Sequence, residues 1–117
     1  MRAIQPVHLQ NKGPKVSNLH KGLLFLILHQ SGISDNDRKT LQVQLAPELR
    51  KQTFGNASAE LVGIWQNQLK SWPDRPAKLA AKMANLPISP ITGRGNGDVD
   101  EVTAEALNWL LKKFGAL

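Results

Sequence analysis

A chain of 117 residues with 41% hydrophobic and 21% charged residues is long enough to form one globular domain with its own core. The sequence contains no cysteine, which excludes disulfides and thiolate metal sites. Fifteen Lys and Arg against nine Asp and Glu give a formal charge of +6, which favours an anionic partner such as nucleic acid, an acidic surface or a polyanionic cell wall.

The longest apolar run, at 23–28, is too short for a membrane span, which needs about 18 residues or more. It is also short for the core of a signal peptide, and no small-residue cleavage site follows it. We therefore expect no membrane span and no signal peptide in this sequence, and interpret it as a mature domain or a piece of a longer protein.

The first part of the chain divides into a non-helical arm and a helix. Residues 1–13 show no periodicity and end in a glycine, which indicates an extended N-terminal arm ahead of a single helical domain over 14–117. From Pro14 to Gln30, side chains recur at spacings of three and four, as on one face of a helix. Additional apolar residues widen this face, which predicts a central helix that Gly32 would end.

Two further helices are predicted in the middle of the chain. Asp35 or Asp37 is placed to cap a second helix that breaks before Pro47, with one or two more turns after the proline. A third helix runs from Ser58 to about Trp72, where a Trp-Pro-Asp-Arg-Pro sequence interrupts the pattern.

The last part of the chain contains a short helix, a loop and a final helix. Residues 78–86 form a short amphipathic or alanine-rich pattern, and 87–98 have the prolines and glycines of a loop. Asp100 is placed to cap the final helix, which Lys112 and Lys113 complete beside the negative end of the helix dipole. No segment alternates with a period of two over the length of a strand, so the sequence predicts an all-α fold.

The same short phrase occurs twice, at 54–65 and at 99–110. In each copy an apolar residue precedes Gly55 or Asp100, and a hydroxyl residue followed by Ala-Glu comes three positions later. If Gly55 and Asp100 are N-caps, each hydroxyl lies at the third helical position and can bond back to the free backbone N–H of the cap, as in a capping box. Each copy of the phrase therefore predicts the same structure, a turn with an apolar residue that leads into a capped helix.

Together with the first helix, the two phrases resemble the peptidoglycan-binding-like domain family, which carries three such elements in this order. The matching positions are Val16, Leu19 and Leu23 in the first element, Phe54, Gly55, Ser58, Val62, Trp65 and Gln66 in the second, and Gly97, Val99, Asp100, Thr103 and Leu107 in the third. His20 stands where the family usually has Gln, Ser58 where it has Thr, and Trp65 where it has Phe.

The resemblance implies a three-helix core formed by 16–30, 58–70 and 101–113. The segments 29–52 and 69–94 are then insertions with additional short helices, and we expect them on the outside of this core.

A closer likeness lies in the segments 13–27 and 106–117. They resemble the version of this module found within large secreted bacterial proteins, including the insecticidal toxin-complex A subunits. There the module is one part of a long chain and need not bind cell wall. The likeness implies a secreted or cell-envelope location.

The residues give no support for an enzyme, a metal or a cofactor. His20 and His29 are nine positions apart and have no acidic neighbour in the sequence, and with His8 they do not form the ligand spacing of a zinc site. Ser58 has no histidine in its motif, which argues against a nucleophile. The glycines at 93–97 lack the Lys-Ser/Thr ending of a phosphate-binding loop.

Three side chains in the loops before the final helix are the candidate ligand-binding residues: Trp72, Arg75 and Arg94. A tryptophan beside bases suits stacking on a sugar or a nucleobase. The alternative is that Trp72 packs an insertion onto the core, as Trp65 is expected to pack within it, while Trp109 lies beside the apolar face and is expected to be half-buried.

Two functions remain open. The first is a non-catalytic module that binds peptidoglycan or another anionic wall polymer, and the second is a protein-interaction or spacer module that contacts neighbouring domains of a larger secreted protein. Nucleic-acid binding ranks last, because the basic residues are scattered and no helix has a dense basic face.

Overall fold

Helices form most of the fold in the computed structural model, which describes residues 1–29 and 34–117. In chain order they are α1 (Pro14–His29), α2 (Asp35–Lys51), α3 (Asn56–Lys70), α4 (Ala77–Met83) and α5 (Glu101–Lys113). Within the described residues the extended segments make isolated bridges and no strand, so the all-α prediction is confirmed. The predicted end of the first helix, at Gln30 and Gly32, lies outside the described residues.

Helices α1, α3 and α5 pack on one another and form a three-helix core. The wide apolar face of α1 explains its central place, because such a helix must be covered on most sides, and α1 also contacts α2. Leu23, Trp65 and Leu107, one from each core helix, are at most 1% exposed.

The course of α2 differs from the prediction, which placed a break before Pro47 and a cap at Asp35 or Asp37. The helix instead begins after Ser34, whose hydroxyl accepts a hydrogen bond of 3.2 Å from the backbone N–H of Asp37, and it continues through the proline. A proline removes one helical hydrogen bond, but its ring here lies on an exposed face. The next residue, Glu48, bonds to the start of α3, which holds the last turn in place.

The two insertions were expected outside the core, and both instead contribute to it. Leu45 of α2 is 1% exposed, and α2 packs against α1 and α3. In α4, Leu79 and Met83 lie four positions apart on the face that contacts α5, and both are buried. Leu86, just after α4, is buried as well. Helices α2 and α4 therefore pack around the three core helices and add buried side chains to the same hydrophobic cluster.

Residues 1–13 are not helical, and they pack closely on the core. Ile4 and Val7 are 3% and 1% exposed. The Asn108 side chain bonds to both backbone groups of Ile4, accepting from its N–H at 2.7 Å and donating to its carbonyl at 2.9 Å. Gly22 leaves room for this contact, because a Cβ there would lie 2.9 Å from the Ile4 side chain and 3.1 Å from Leu111. The arm thus closes the core beside α1 and α5.

Replacing Leu23 or Leu107 with alanine should lower the free energy of unfolding by about 2–5 kcal/mol, because each side chain is fully buried. Val43, which is 72% exposed on α2, is the control, and Val43→Ala should change it by less than about 0.5 kcal/mol. Urea unfolding followed by circular dichroism measures both. Core variants that unfold like the wild type would contradict the three-helix core.

Candidate functional site

The two repeated turns are brought side by side by the arm. Val7 and Val99 exchange backbone hydrogen bonds of 3.0 and 3.1 Å, which attaches the arm to the second turn. Three residues later, Gln10 donates its N–H to the Phe54 carbonyl at 2.8 Å, and Phe54 donates to the carbonyl of Asn11 at 2.9 Å. Phe54 and Val99, the apolar residues that precede the caps, are at most 1% exposed. The arm therefore joins both copies of the phrase through their equivalent residues.

The first turn is capped by a carboxylate from another helix. Gly55 is the N-cap of α3, as predicted, and has no side chain to accept hydrogen bonds. Glu48 of α2 supplies the acceptors: its Oε1 atom accepts from the N–H of Gly55 at 2.9 Å and of Ser58 at 2.8 Å, and its Oε2 atom accepts from the N–H of Ala57 at 2.8 Å. The prediction that the Ser58 hydroxyl bonds back to the cap is wrong, because that hydroxyl donates to Glu48 at 2.5 Å.

The second turn has its own cap and is also held by Gln66 of α3. Asp100 accepts a hydrogen bond of 2.7 Å from the N–H of Thr103, which confirms it as an N-cap. The Thr103 hydroxyl does not bond back to the cap but accepts from the Gln66 amide at 2.9 Å. Gln66 also accepts from the N–H of Gly97 at 2.9 Å. Gly97 has a φ of 82°, and a Cβ there would lie 2.5 Å from the Ala59 carbonyl oxygen, so this turn requires glycine.

A buried polar network links α1, α2 and α3 behind the first turn. His20 Nε2 lies 2.8 Å from Ser58 Oγ, and the two residues are 3% and 0% exposed. Because the Ser58 hydroxyl gives its proton to Glu48, the His20 nitrogen donates to the hydroxyl oxygen. The Ser58 hydroxyl of α3 therefore connects Glu48 of α2 to His20 of α1 and links the three helices. Sequence reasoning missed the network because its residues lie in separate helices.

Burial and hydrogen bonding shift the pKa values of both ionisable groups in this network. Burial lowers the pKa of His20, against a smaller opposing effect of the nearby Glu48 charge. For Glu48, burial acts to raise the pKa, but the hydrogen bonds from the Ser58 hydroxyl and from the N–H groups of Ser58, Ala57 and Gly55 together bring it below its ordinary value. The folded network therefore favours neutral His20 and ionised Glu48.

Two adjoining clefts border the repeated turns, a larger one of about 460 Å³ between the arm and the first turn and a smaller one of about 90 Å³ between the first turn and residues 96–98. They share Leu9 and Phe54, and we call them together the motif groove. Leu9 is 52% exposed and gives it an apolar surface. The remaining lining side chains include three amides, with Lys12 in the larger cleft and Asp98 in the smaller: Gln10, Lys12, Thr53, Asn56, Ala59, Asn96 and Asp98. Asp98 also bonds to His8 Nδ1 at 2.6 Å.

Of the sequence-predicted ligand residues, Trp72 and Arg75 pack against the end of the core. The Trp72 ring is half-buried, 6.4 Å from the Trp65 ring and 6.1 Å from that of Phe114. Arg75 donates to the Trp72 carbonyl at 3.0 Å and lies 3.9 Å from the sulfur of Met83. This environment matches the packing alternative considered for Trp72. Trp65 is buried and Trp109 half-buried, as expected.

Arg94 lies elsewhere and is paired. Its guanidinium donates to Glu60 at 2.6 Å, and it borders a cleft of about 430 Å³ between α2 and α3, which we call the α2–α3 cleft. Along α3, Glu60 and Lys70 are separated by about 15 Å at 1.5 Å per residue. Since Trp72 follows Lys70, the structure does not bring Arg94 together with Trp72 and Arg75.

In residues 1–29 and 34–117, no three His, Asp or Glu side chains form a group that could hold a metal ion. No helix in the same part of the chain has the length and apolar character needed to cross a membrane. Comparison of the chain with protein-family models, curated proteins and solved structures finds no match.

Because folding lowers the pKa of His20, the unfolded chain binds its proton more tightly, and stability should fall as the pH drops below about 6.5, the ordinary histidine value. His20→Gln keeps a donor for Ser58 without a titrating group, so the free energy of unfolding should depend less on pH between 7 and 5. His29→Gln, at an exposed site, is the control. Urea unfolding at several pH values measures this, and equal slopes for wild type and His20→Gln would refute it.

The caps provide a second test. Asp100→Ala should destabilise the domain by about 1 kcal/mol, whereas Asp100→Asn, which keeps an acceptor, should cost much less. Gly55→Ala should also destabilise, although not through its backbone angle, because its φ of −108° suits any residue. The added Cβ would lie 2.8 Å from the Glu48 carboxyl carbon and displace that cap. Thermal unfolding measures the stability of each variant. An unchanged Tm for Gly55→Ala would show that the Glu48 side chain moves aside without loss of stability.

Proposed function

We propose that this domain is a non-catalytic module that binds bacterial cell-wall peptidoglycan, or a related wall polymer, through the motif groove. One observation carries the proposal: residues at motif positions shared with the peptidoglycan-binding-like family border a single groove. Phe54 and Gly55 belong to the first copy of the phrase, and Gly97 belongs to the third family element, two residues before the second copy. They are adjacent in space because the arm bonds to both turns.

The side chains that line the groove suit a polar polymer with amide and acid groups as the ligand. Side-chain amides of Gln10, Asn56 and Asn96 can donate to and accept from the hydroxyl and acetamido groups of a glycan. The exposed Leu9 offers an apolar contact for a sugar face or an acetyl methyl group. Lys12 is placed to attract the carboxylates of wall peptides. A groove with two adjoining clefts suits several successive units of a chain.

Binding without cleavage is supported by the state of the Ser58–His20 pair. Both side chains are buried behind the first turn, and the serine proton is directed to Glu48 and not to the histidine. An attacking group would need an oxygen that the polymer can reach, whereas the Ser58 oxygen is fully buried and already bonded to Glu48 and His20. In this proposal the pair holds α1 against α3, and the groove in front of it supplies the contacts to the polymer.

Sedimentation with insoluble peptidoglycan sacculi tests the proposal. The full chain should sediment with the sacculi and release no soluble fragments. Leu9→Ala combined with Asn56→Ala should weaken binding about tenfold at constant salt, because the loss of one hydrogen bond and one apolar contact amounts to roughly 1.4 kcal/mol or more. Its Tm should stay close to that of the wild type, since both side chains are exposed.

Arg94→Ala is the matched comparison, because Arg94 is exposed and borders the α2–α3 cleft instead. It should bind like the wild type. If Arg94→Ala weakens binding and the Leu9/Asn56 double variant does not, the binding site is the α2–α3 cleft and not the motif groove. A domain that stays in the supernatant at low salt, with sacculi in excess, would refute wall binding and favour an interaction or spacer module within a larger secreted protein.

A further inference from the structure

The N-terminal part of the chain carries basic residues without acidic ones. The first acidic residue is Asp35, and Arg2, Lys12, Lys15 and Lys21 all precede it. The arm and α1 therefore contribute four positive charges and no carboxylate. This uneven distribution accounts for most of the excess of six positive charges on the protein.

Two of these bases meet in one cleft that is separate from the motif groove. The cleft has a volume of about 480 Å³ and is lined by Arg2, Lys21, Ser17, Asn18 and Gln52, among others, and we call it the basic cleft. Ser17, Asn18 and Lys21 share one face of α1 because they are three and four positions apart. Gln52 is held beside them by a bond of 2.9 Å from the N–H of Gly13 to its carbonyl.

The position of Arg2 follows from the packing of the arm. Ile4, two residues later, is buried beside Gly22 and bonded through both backbone groups to Asn108. This anchor leads residues 1–3 across the start of α1. Within the described part of the chain, neither Arg2 nor Lys21 forms an ion pair, and both are exposed. Their charges are therefore not neutralised by the protein.

We propose that the basic cleft binds the phosphate groups of a polyol phosphate polymer of the cell wall, an inference that rests on the proposed wall-binding function. The Arg2 guanidinium can donate to two phosphate oxygens at once, and the Lys21 ammonium adds a compact charge. Ser17, Asn18 and Gln52 supply neutral donors around them. Five donor groups suit a tetrahedral anion with four oxygens better than a planar carboxylate with two.

The composition of the cleft also argues against nucleic acid. Single-stranded nucleic acids bind by stacking bases on aromatic side chains, and the described residues that line the cleft include none. The units between the phosphates of a polyol polymer carry hydroxyl groups instead of bases. Those hydroxyls match the serine and amide side chains, so a polyol phosphate fits both the charged and the neutral part of the lining.

Calorimetric titration of the full chain with poly(glycerol phosphate) at fixed ionic strength tests this site. Arg2→Gln combined with Lys21→Gln should weaken binding about tenfold or more, because charge-assisted hydrogen bonds are roughly twice as strong as neutral ones. Lys39→Gln combined with Lys78→Gln removes the same charge at two exposed positions outside the cleft and should leave binding nearly unchanged. With glycerol 3-phosphate as the probe, the backbone amide NMR signals of Ser17, Asn18 and Gln52 should shift.

Three results of these titrations would overturn the inference. The first is equal weakening in the two double variants, which would mean general charge attraction. The second is polyglutamate binding as tightly as the phosphate polymer at equal length, which would show no preference for phosphate. The third is an oligothymidylate binding more tightly, which would indicate nucleic acid as the partner.

Sacculi stripped of phosphate polymers separate this inference from the proposed function. The motif groove should still bind stripped sacculi, and the Arg2/Lys21 variant should then bind them as well as the wild type does. Loss of all binding to stripped sacculi would contradict the proposed function of the motif groove. A weaker interaction of that variant with stripped sacculi would contradict the assignment of the basic cleft to phosphate.

Discussion

The Glu48 carboxylate is the interaction on which the arrangement of the first three helices depends. It is partly buried, and it receives four hydrogen bonds from the first turn of α3, including one from the Ser58 hydroxyl. The same hydroxyl accepts from His20 of α1, so one carboxylate of α2 determines where α3 begins and how α1 packs against it. Without this carboxylate, four hydrogen-bond donors at the start of α3 would lose their acceptor, which is costly for partly buried groups. The contact between these helices is therefore specific.

The two copies of the repeated phrase reach the same shape through different partners. In the first, glycine at the cap leaves room for Glu48, and in the second Asp100 provides the acceptor itself. Gln66 of α3 then bonds to Thr103 and Gly97 at the second turn, so the second turn depends on the helix that the first turn begins. The motif groove between them is consequently set by three contacts: the arm, the cap from α2 and this glutamine.

The local features of the fold could be predicted from the sequence, whereas the long-range ones could not. The apolar stripe of α1 and the cap at Asp100 are encoded by residues three or four apart, and both were predicted. The continuation of α2 through Pro47 was missed, because the contacts that stabilise the turn after a proline come from another helix. The groove and the contact of Trp72 with Phe114 likewise depend on residues distant in sequence, and no spacing rule reveals which of them meet.

The bond between Ile4 and Asn108 joins residues 104 positions apart. A chain that emerges gradually during synthesis cannot make this contact until α5 has been released, so the arm completes its packing only after the last helix has emerged. Contacts of such long range slow folding, since a large loop has to close before they stabilise anything. The first helices can assemble early around Glu48, but the groove between the two turns forms only once the final helix is in place.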